Sequence, residues 1–208
     1  LELCKTRLPD NMRIPAEQIQ VLTPTRKGPC GTVNLNRLLQ EALNPKAPGK
    51  REILWGERVF RVGDRIMQTR NDYDVVWQKA DGTVGTGMFN GDVGRIVEID
   101  QSGEWLALDF DGRTAPYSTE MLSEIDLAYA QTVHKAQGSE YRCVVLATMP
   151  SAPSLMVRGV LYTALTRARK LLVMVGDDAA VRSMAANDKQ QKRYSGLKWR
   201  LCHAGENG

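Results

Sequence analysis

The chain has 208 residues, 42% of them hydrophobic and 25% charged, which is enough to bury a core and too apolar for intrinsic disorder. No apolar run approaches the roughly 20 residues that a bilayer-crossing helix needs, and the stretch 1–8 mixes Glu2, Lys5 and Arg7 with leucines, unlike a secretion signal, so a reducing cytoplasm is the expected setting. The net charge of +4 is uneven: residues 127–200 carry twelve Lys or Arg against four Asp or Glu, while the remainder is net acidic, so this basic stretch suits either a polyanionic partner or a solvated surface.

In chain order, Ile19–Thr23 (IQVLT) is a β-rich run closed by Pro24 and is expected to be a strand. A glycine-containing loop leads into Thr32–Leu43, where Val33, Leu35, Leu38, Leu39 and Leu43 share one helical face before Asn44-Pro45 ends it. The middle changes character. Val59–Val62, Arg65–Thr69, Gly94–Asp100, Glu104–Phe110 and Thr114–Tyr117 are short β-like runs, punctuated by the turn dipeptides Asp81-Gly82, Asn90-Gly91 and Asp111-Gly112. This spacing predicts a small antiparallel barrel over residues 56–122. The glycine-rich stretch at 82–87 (GTVGTG) lacks a following helical pattern and reads as a flexible loop. Leu106–Asp109 (LALD) looks like a strand ending in a magnesium-binding Asp, but the turn dipeptide just after it favours a hairpin.

After Ser123 an α/β pattern returns. Arg142–Thr148 and Leu171–Val175 read as buried parallel strands, with a helix between them marked by Leu161, Ala164, Leu165 and Ala168. Asp177 or Asp178 is placed to cap a last helix. The expected architecture is therefore an α/β domain over 1–55 and 123–208, interrupted by the β insert at 56–122. Cys4, Cys30, Cys143 and Cys202, with His134 and His203, show no metal-ligand spacing, so no metal site is expected; Cys143 reads as core.

Two segments carry candidate chemistry. In Tyr129–Tyr141 (YAQTVHKAQGSEY), Thr132, His134, Lys135, Gln137 and Glu140 crowd in front of a buried strand, the position where α/β folds bind ligands. Thr132 and His134 have donors for a phosphodiester; Lys135 and Glu140 have the reach and charge for a nucleotide and its ribose. The same residues also fit a polar surface turn with a capping role. In Leu161–Lys170 (LYTALTRARK), Arg167 and Arg169 leave the apolar face, and a guanidinium suits phosphate. A solvated arginine pair at a helix C-terminus would serve the macrodipole equally well. On a continuous helix the two arginines would diverge by about 200°. The phosphate-binding pattern GxxxxGK[ST] occurs nowhere in these residues: Gly49-Lys50 is followed by Arg51.

Taken together, these segments resemble a known family. YAQTVHKAQGSEY is similar to motif V, and LYTALTRARK to motif VI, of superfamily 1 helicases, about 30 residues apart with a buried strand between. VLTPTRKGPCGTVNLNRLLQ at 21–40 resembles the motif IV region, and GDRIMQTRNDYD at 63–74 with FNGDVGRIVEID at 89–100 resembles an inserted barrel. The resemblance is to the RecD-like DNA helicases and covers residues 18–201. It implies a second RecA-like motor domain with an SH3-like barrel inserted, and 5′-to-3′ movement on single-stranded DNA driven by ATP and Mg2+. These would be held mainly by a first RecA-like domain that carries the phosphate-binding loop. That domain is expected either upstream of an excised fragment, the favoured case, or on a partner chain, with RecB/RecC-like subunits as further candidates. The resemblance implies Arg167 as the arginine finger, Lys135, Gln137, Gly138 and Glu140 at the nucleotide, and Thr132 and His134 at the DNA. Phe89, Asn90, Arg95 and Trp105 are the barrel candidates for DNA. The rival readings are a non-catalytic single-stranded DNA-binding module or degenerate subunit, and a protein-interaction barrel on an inert scaffold.

Overall fold

A computed structural model describes residues 1–188, so Cys202 and His203 lie outside the described residues. After a helical turn at Leu3–Arg7 and a short α1 (Leu8–Met12), the chain enters β1 (Ile19–Thr23) and then α2 (Thr32–Leu43), both with the bounds that the apolar pattern predicts. A run of antiparallel strands follows: β2 (Glu52–Trp55), β3 (Arg58–Arg61), β4 (Arg65–Gln68), β5 (Asp72–Gln78), β6 (Val84–Met88), β7 (Val93–Ile99), β8 (Trp105–Phe110), β9 (Arg113–Ser118) and β10 (Ile125–Leu127). The remaining elements are β11 (Ala130–Thr132), β12 (Tyr141–Thr148), α3 (Arg158–Leu165), β13 (Ala168–Gly176) and α4 (Asp178–Ala186).

These strands sort by direction. β11, β1, β12 and β13 form a four-stranded, wholly parallel sheet in that order. Seven antiparallel strands form a second sheet, ordered β10-β4-β7-β8-β9-β5-β6, and β2 pairs with β3 as a separate hairpin. Antiparallel pairing thus spans residues 52–127, and the seams expected at 56 and 122 lie within that span. The fold is a RecA-like α/β domain with an inserted SH3-like β domain.

The central strands β1 and β12 are buried on both faces, whereas β13, at the sheet's lateral margin, leaves Met174 and Val175 exposed, so the buried strand expected at Leu171–Val175 is only partly covered. Ile19, Val21, Cys143 and Val145 pack toward α2 and into one core continuous with the insert; Leu22, Val144 and Leu146 pack with α3 and α4 in another. Cys143 is fully buried, as its apolar surroundings predict. Asp177 caps α4 by accepting from the Ala179 amide at 2.8 Å.

The hairpin expected around Asp111-Gly112 joins β8 to β9, with positive φ at both residues, 55° and 79°, as a primed turn demands. One expectation fails nearby. The stretch GTVGTG is not a loop, because Val84–Met88 is strand β6. Gly85 serves close packing: a Cβ there would sit 2.3 Å from the Trp77 ring.

A buried polar hub ties the insert to the α/β domain. The Asp64 carboxylate is fully buried and accepts from Gln40 Nε2 (2.6 Å), Asn44 Nδ2 (2.7 Å), the Arg61 amide (2.6 Å) and Tyr129 Oη (2.9 Å). These donors come from α2, from the end of β3 and from the segment entering β11. Beside the hub, the buried Arg61 guanidinium bridges Glu41 at 2.6 Å and Glu52 at 2.9 Å.

Candidate functional site

Strand register decides how the polar segment 129–141 is arranged. Thr132, the last residue of β11, is level with Thr23, and Leu22 is level with Leu146 of β12. Tyr141, the first residue of β12, pairs instead with Ala168 at the start of β13. Thr132 and Tyr141 therefore stand at opposite edges of the sheet, about 20 Å apart at roughly 3.3 Å per residue. Residues 133–140 cross the whole sheet between them. The crossing is a chain of turns, with Ala136 N–H donating to Thr132 O (3.1 Å), Gln137 N–H to His134 O (3.3 Å) and Ser139 N–H to Ala136 O (3.2 Å). Val133 and Ala136 are buried against the face formed by Leu22, Val144 and Leu146 and pin it down.

At the C-terminal edge of the sheet the loop gathers donors. Val133 N–H reaches Thr23 O at 3.0 Å, and Lys135 N–H reaches Thr132 Oγ1 at 3.3 Å. Lys135 Nζ lies 3.3 Å from Oδ1 of Asn90, a residue of the insert. Partial burial lowers the Lys135 pKa; Asp126 raises it and Arg26 lowers it further. Arg26 was not singled out from the sequence. It is exposed, 3.8 Å from Asp126, in the loop that leaves the C-terminal end of β1. Its only sequence signal is that position, since ligands gather at the carboxyl ends of parallel strands. His134 and Gln137 face an open groove shared with Arg158, Tyr162 and Thr163 of α3. The approach to Thr132 is held firmly: Asn36 of α2 donates to Leu127 O (2.9 Å) and Ala130 O (3.0 Å) and accepts from Ala130 N–H (2.7 Å).

The opposite edge holds Gly138, Glu140 and both arginines. Gly138 takes φ +85°, a left-handed conformation that side chains disfavour. The helix expected through Lys170 stops at Leu165; Ala168–Lys170 belong to β13. Tyr141 N–H donates to Arg167 O at 2.8 Å and so fixes the turn. The expected divergence of the arginines around a helix therefore does not exist, because sheet pairing overrides the helical spacing. A different contrast separates them. The Arg167 guanidinium donates to three uncharged acceptors, Ser139 O (3.0 Å), Thr163 O (3.1 Å) and Thr166 Oγ1 (3.2 Å). Arg169 Nε instead pairs with the Glu140 carboxylate at 2.7 Å.

The barrel candidates are not brought together. Phe89 and Asn90 sit at the turn before β7, next to Lys135. Arg95 lies 3.7 Å from Glu17, at the junction with the α/β domain. Trp105 stands beyond the far end of β7, where Leu106 pairs with Ile99.

Residues 35–110 match the model of the ATP-dependent RecD-like DNA helicase SH3 domain, and residues 127–175 match that of the UvrD-like helicase C-terminal domain. The chain is 37% identical over 185 residues to the ATP-dependent RecD2 DNA helicase of Deinococcus radiodurans, covering 89% of this chain and 24% of that protein. It is 32% identical over 189 residues to the RecBCD enzyme subunit RecD of Mycolicibacterium smegmatis, covering 91% of this chain and 30% of that one. The chain thus spans less than a third of the length of these curated relatives. In fold it is similar to the Bacteroides Pif1 helicase crystallised with ADP-AlF3 and single-stranded DNA (TM-score 0.53, 16% identity, 99% of this chain and 49% of that one). It is likewise similar to the Candida albicans Pif1 helicase (TM-score 0.53, 17% identity, 95% and 51%).

Proposed function

This chain belongs to the RecD-like DNA helicase family, corresponding to its C-terminal part, and from that premise we propose that it is the second half of an ATP-driven motor moving 5′-to-3′ on single-stranded DNA. The observation that carries the reading is the crossing loop 133–140, which gives one short segment reach to a nucleotide at one sheet edge and to DNA at the other. In this reading Arg167 closes over the γ-phosphate of an ATP bound mainly on a first RecA-like domain, where its charge stabilises the charge dispersed in the transition state. Gln137, Gly138 and Glu140 line the nucleotide, with Glu140 at the ribose. Thr132, His134 and Asn90 serve the DNA backbone, and Arg95 extends the barrel's contribution. We assign Lys135 to the DNA as well, because its ammonium lies against Asn90.

Among the described residues no group of three or more His, Cys, Asp or Glu is arranged to hold a metal. In this reading Mg2+ arrives with ATP on the first domain. That domain is most simply part of the same polypeptide, with a RecB/RecC-like assembly as the second setting, working in the cytoplasm. Among the described residues no helix is long and apolar enough to cross a membrane.

The 208-residue chain is expected to bind single-stranded DNA weakly, with log Kobs falling against log salt by about 0.7 per phosphate neutralised. It is expected to turn over no ATP until a first domain is supplied. Titrations at several salt concentrations, with and without Thr132→Ala plus His134→Ala, test the DNA half. An affinity indifferent to salt or to those substitutions contradicts it. DNA-stimulated turnover by the chain alone contradicts the division of labour between the domains. A non-catalytic DNA-binding module would instead bind DNA and give no turnover after the first domain is added.

A further inference from the structure

Tyr73 and Phe89 are large aromatic side chains left 66% and 42% exposed on the insert. Their rings meet edge to face, with centroids 5.8 Å apart and planes at 74°, so the ring that presents its edge keeps an open face. The pair is built in rather than accidental. Gly87, at φ +93°, makes room for Phe89: a Cβ there would lie 3.1 Å from the ring tip. Asn71 links the two strands beneath, accepting from the Asn90 amide at 2.9 Å and donating to Tyr73 Oη at 3.4 Å. Asn90 in turn meets Lys135 at 3.3 Å, and Lys135 adjoins Thr132. A fixed aromatic face thus stands beside an ammonium, with the exposed Arg26 guanidinium close enough to lower that ammonium's pKa.

A flat apolar surface bordered by cations matches the two halves of a nucleotide, the base and the phosphate. We propose that Tyr73 and Phe89 form a stacking platform for an unpaired nucleobase of the DNA strand, while Lys135 takes the adjoining phosphate. The proposal rests on the single-stranded DNA reading above and deepens it. It adds Tyr73 to the site and makes Phe89 a contact to bases. Stacking accepts every base, so the platform grips without reading sequence.

The test measures the affinity of the 208-residue chain for a fluorescent oligothymidylate and for the same backbone with abasic sites throughout. The parent is expected to prefer the base-bearing strand. Tyr73→Ala with Phe89→Ala is expected to lose roughly 5- to 150-fold in affinity for it, the range that one to three kcal/mol per stacked base corresponds to. The variant should match the parent on the abasic strand and keep the parent's salt slope. Tyr73→Phe with Phe89→Tyr should retain the preference. Lys135→Ala should do the reverse, reducing the salt slope by about 0.7 and leaving the base preference intact. Equal affinity of the parent for both strands, or a double alanine variant that still prefers bases, overturns the platform while the DNA reading stands. No binding of either strand by the parent overturns the DNA reading itself. Both rings are exposed, and the parent's unfolding curve is the control that the variants remain folded.

Discussion

Replacing Arg167 by alanine in the assembled helicase is expected to lower DNA-stimulated ATP turnover by about 10³-fold or more, the scale on which arginine fingers act in phosphoryl transfer. The structural basis is the company that the guanidinium keeps. Its three acceptors, Ser139 O, Thr163 O and Thr166 Oγ1, are uncharged, so they orient the group without cancelling its charge. Exchanging one of them for a phosphate oxygen replaces a hydrogen bond to an uncharged acceptor with one in which donor and acceptor are both charged. Arg169 differs because its charge is already balanced by Glu140. Arg169→Ala should therefore be much milder. Arg167→Lys should rescue little, since an ammonium lacks the planar fork that reaches several acceptors at once. ATP and DNA affinities should change far less than turnover, because an arginine finger, the role proposed for Arg167, acts most strongly in the transition state. Steady-state ATPase kinetics on the three variants decide the matter. A dead Arg169→Ala beside a normal Arg167→Ala would move the site.

The second large effect concerns stability. Asp64→Ala strips four buried donors of their shared acceptor, and the Arg61 amide and Tyr129 hydroxyl have no second acceptor to match the one that Gln40 finds in Val59 O at 2.8 Å. A loss of about 3 kcal/mol is expected from unmet buried hydrogen bonds, which for a protein of this size lowers Tm by roughly 6–12 °C. Burial raises the Asp64 pKa above the usual carboxylate value, and its donors, Asn44 and the Arg61 amide first, pull it only part of the way back. With a folded pKa above the unfolded one, this group's contribution is full below the unfolded pKa and shrinks as pH rises through the folded one. The gap between parent and variant should therefore be widest in acid and narrow toward neutrality. Urea unfolding at a series of pH values measures it, and a gap under 1 kcal/mol at every pH would show that the hub is dispensable.

Much of the fold was legible because burial leaves a pattern. The continuous apolar runs of β1 and β12 and the Leu35, Leu39 and Leu43 stripe of α2 are what buried central strands require, whereas Val33, expected on that stripe, is exposed. The pattern misled where two elements share residues. Leu161, Ala164, Leu165 and Ala168 keep helical spacing, yet pairing of Ala168 with Tyr141 draws the last of them into β13. It was silent where packing needs glycine, as at Gly85 beneath Trp77, because a residue with no side chain carries no periodicity. β5 was missed for a related reason: within DYDVVWQ only Val75 is fully buried, so no alternating face stands out. For the candidate site, residue types suggested the chemistry, but register alone separates Thr132 from Glu140. Nothing in the string YAQTVHKAQGSEY says that its two halves lie at opposite edges of a sheet.

That separation bears on which changes of length the chain can absorb. The turns at Asp81-Gly82 and Asp111-Gly112 project from the insert, and an added residue there alters only a surface tip. The stretch from Val133 to Glu140 has no such slack. Its first half is clamped by Val133 and Ala136 in the core, and its far end is clamped by Ser139 O against Arg167 and by the Tyr141 amide against Arg167 O. It behaves as a tie rod cut to the width of the sheet. One extra residue would have to be absorbed between ends that strand register holds fixed, by lifting Val133 or Ala136 from the core or by breaking the contacts to Arg167.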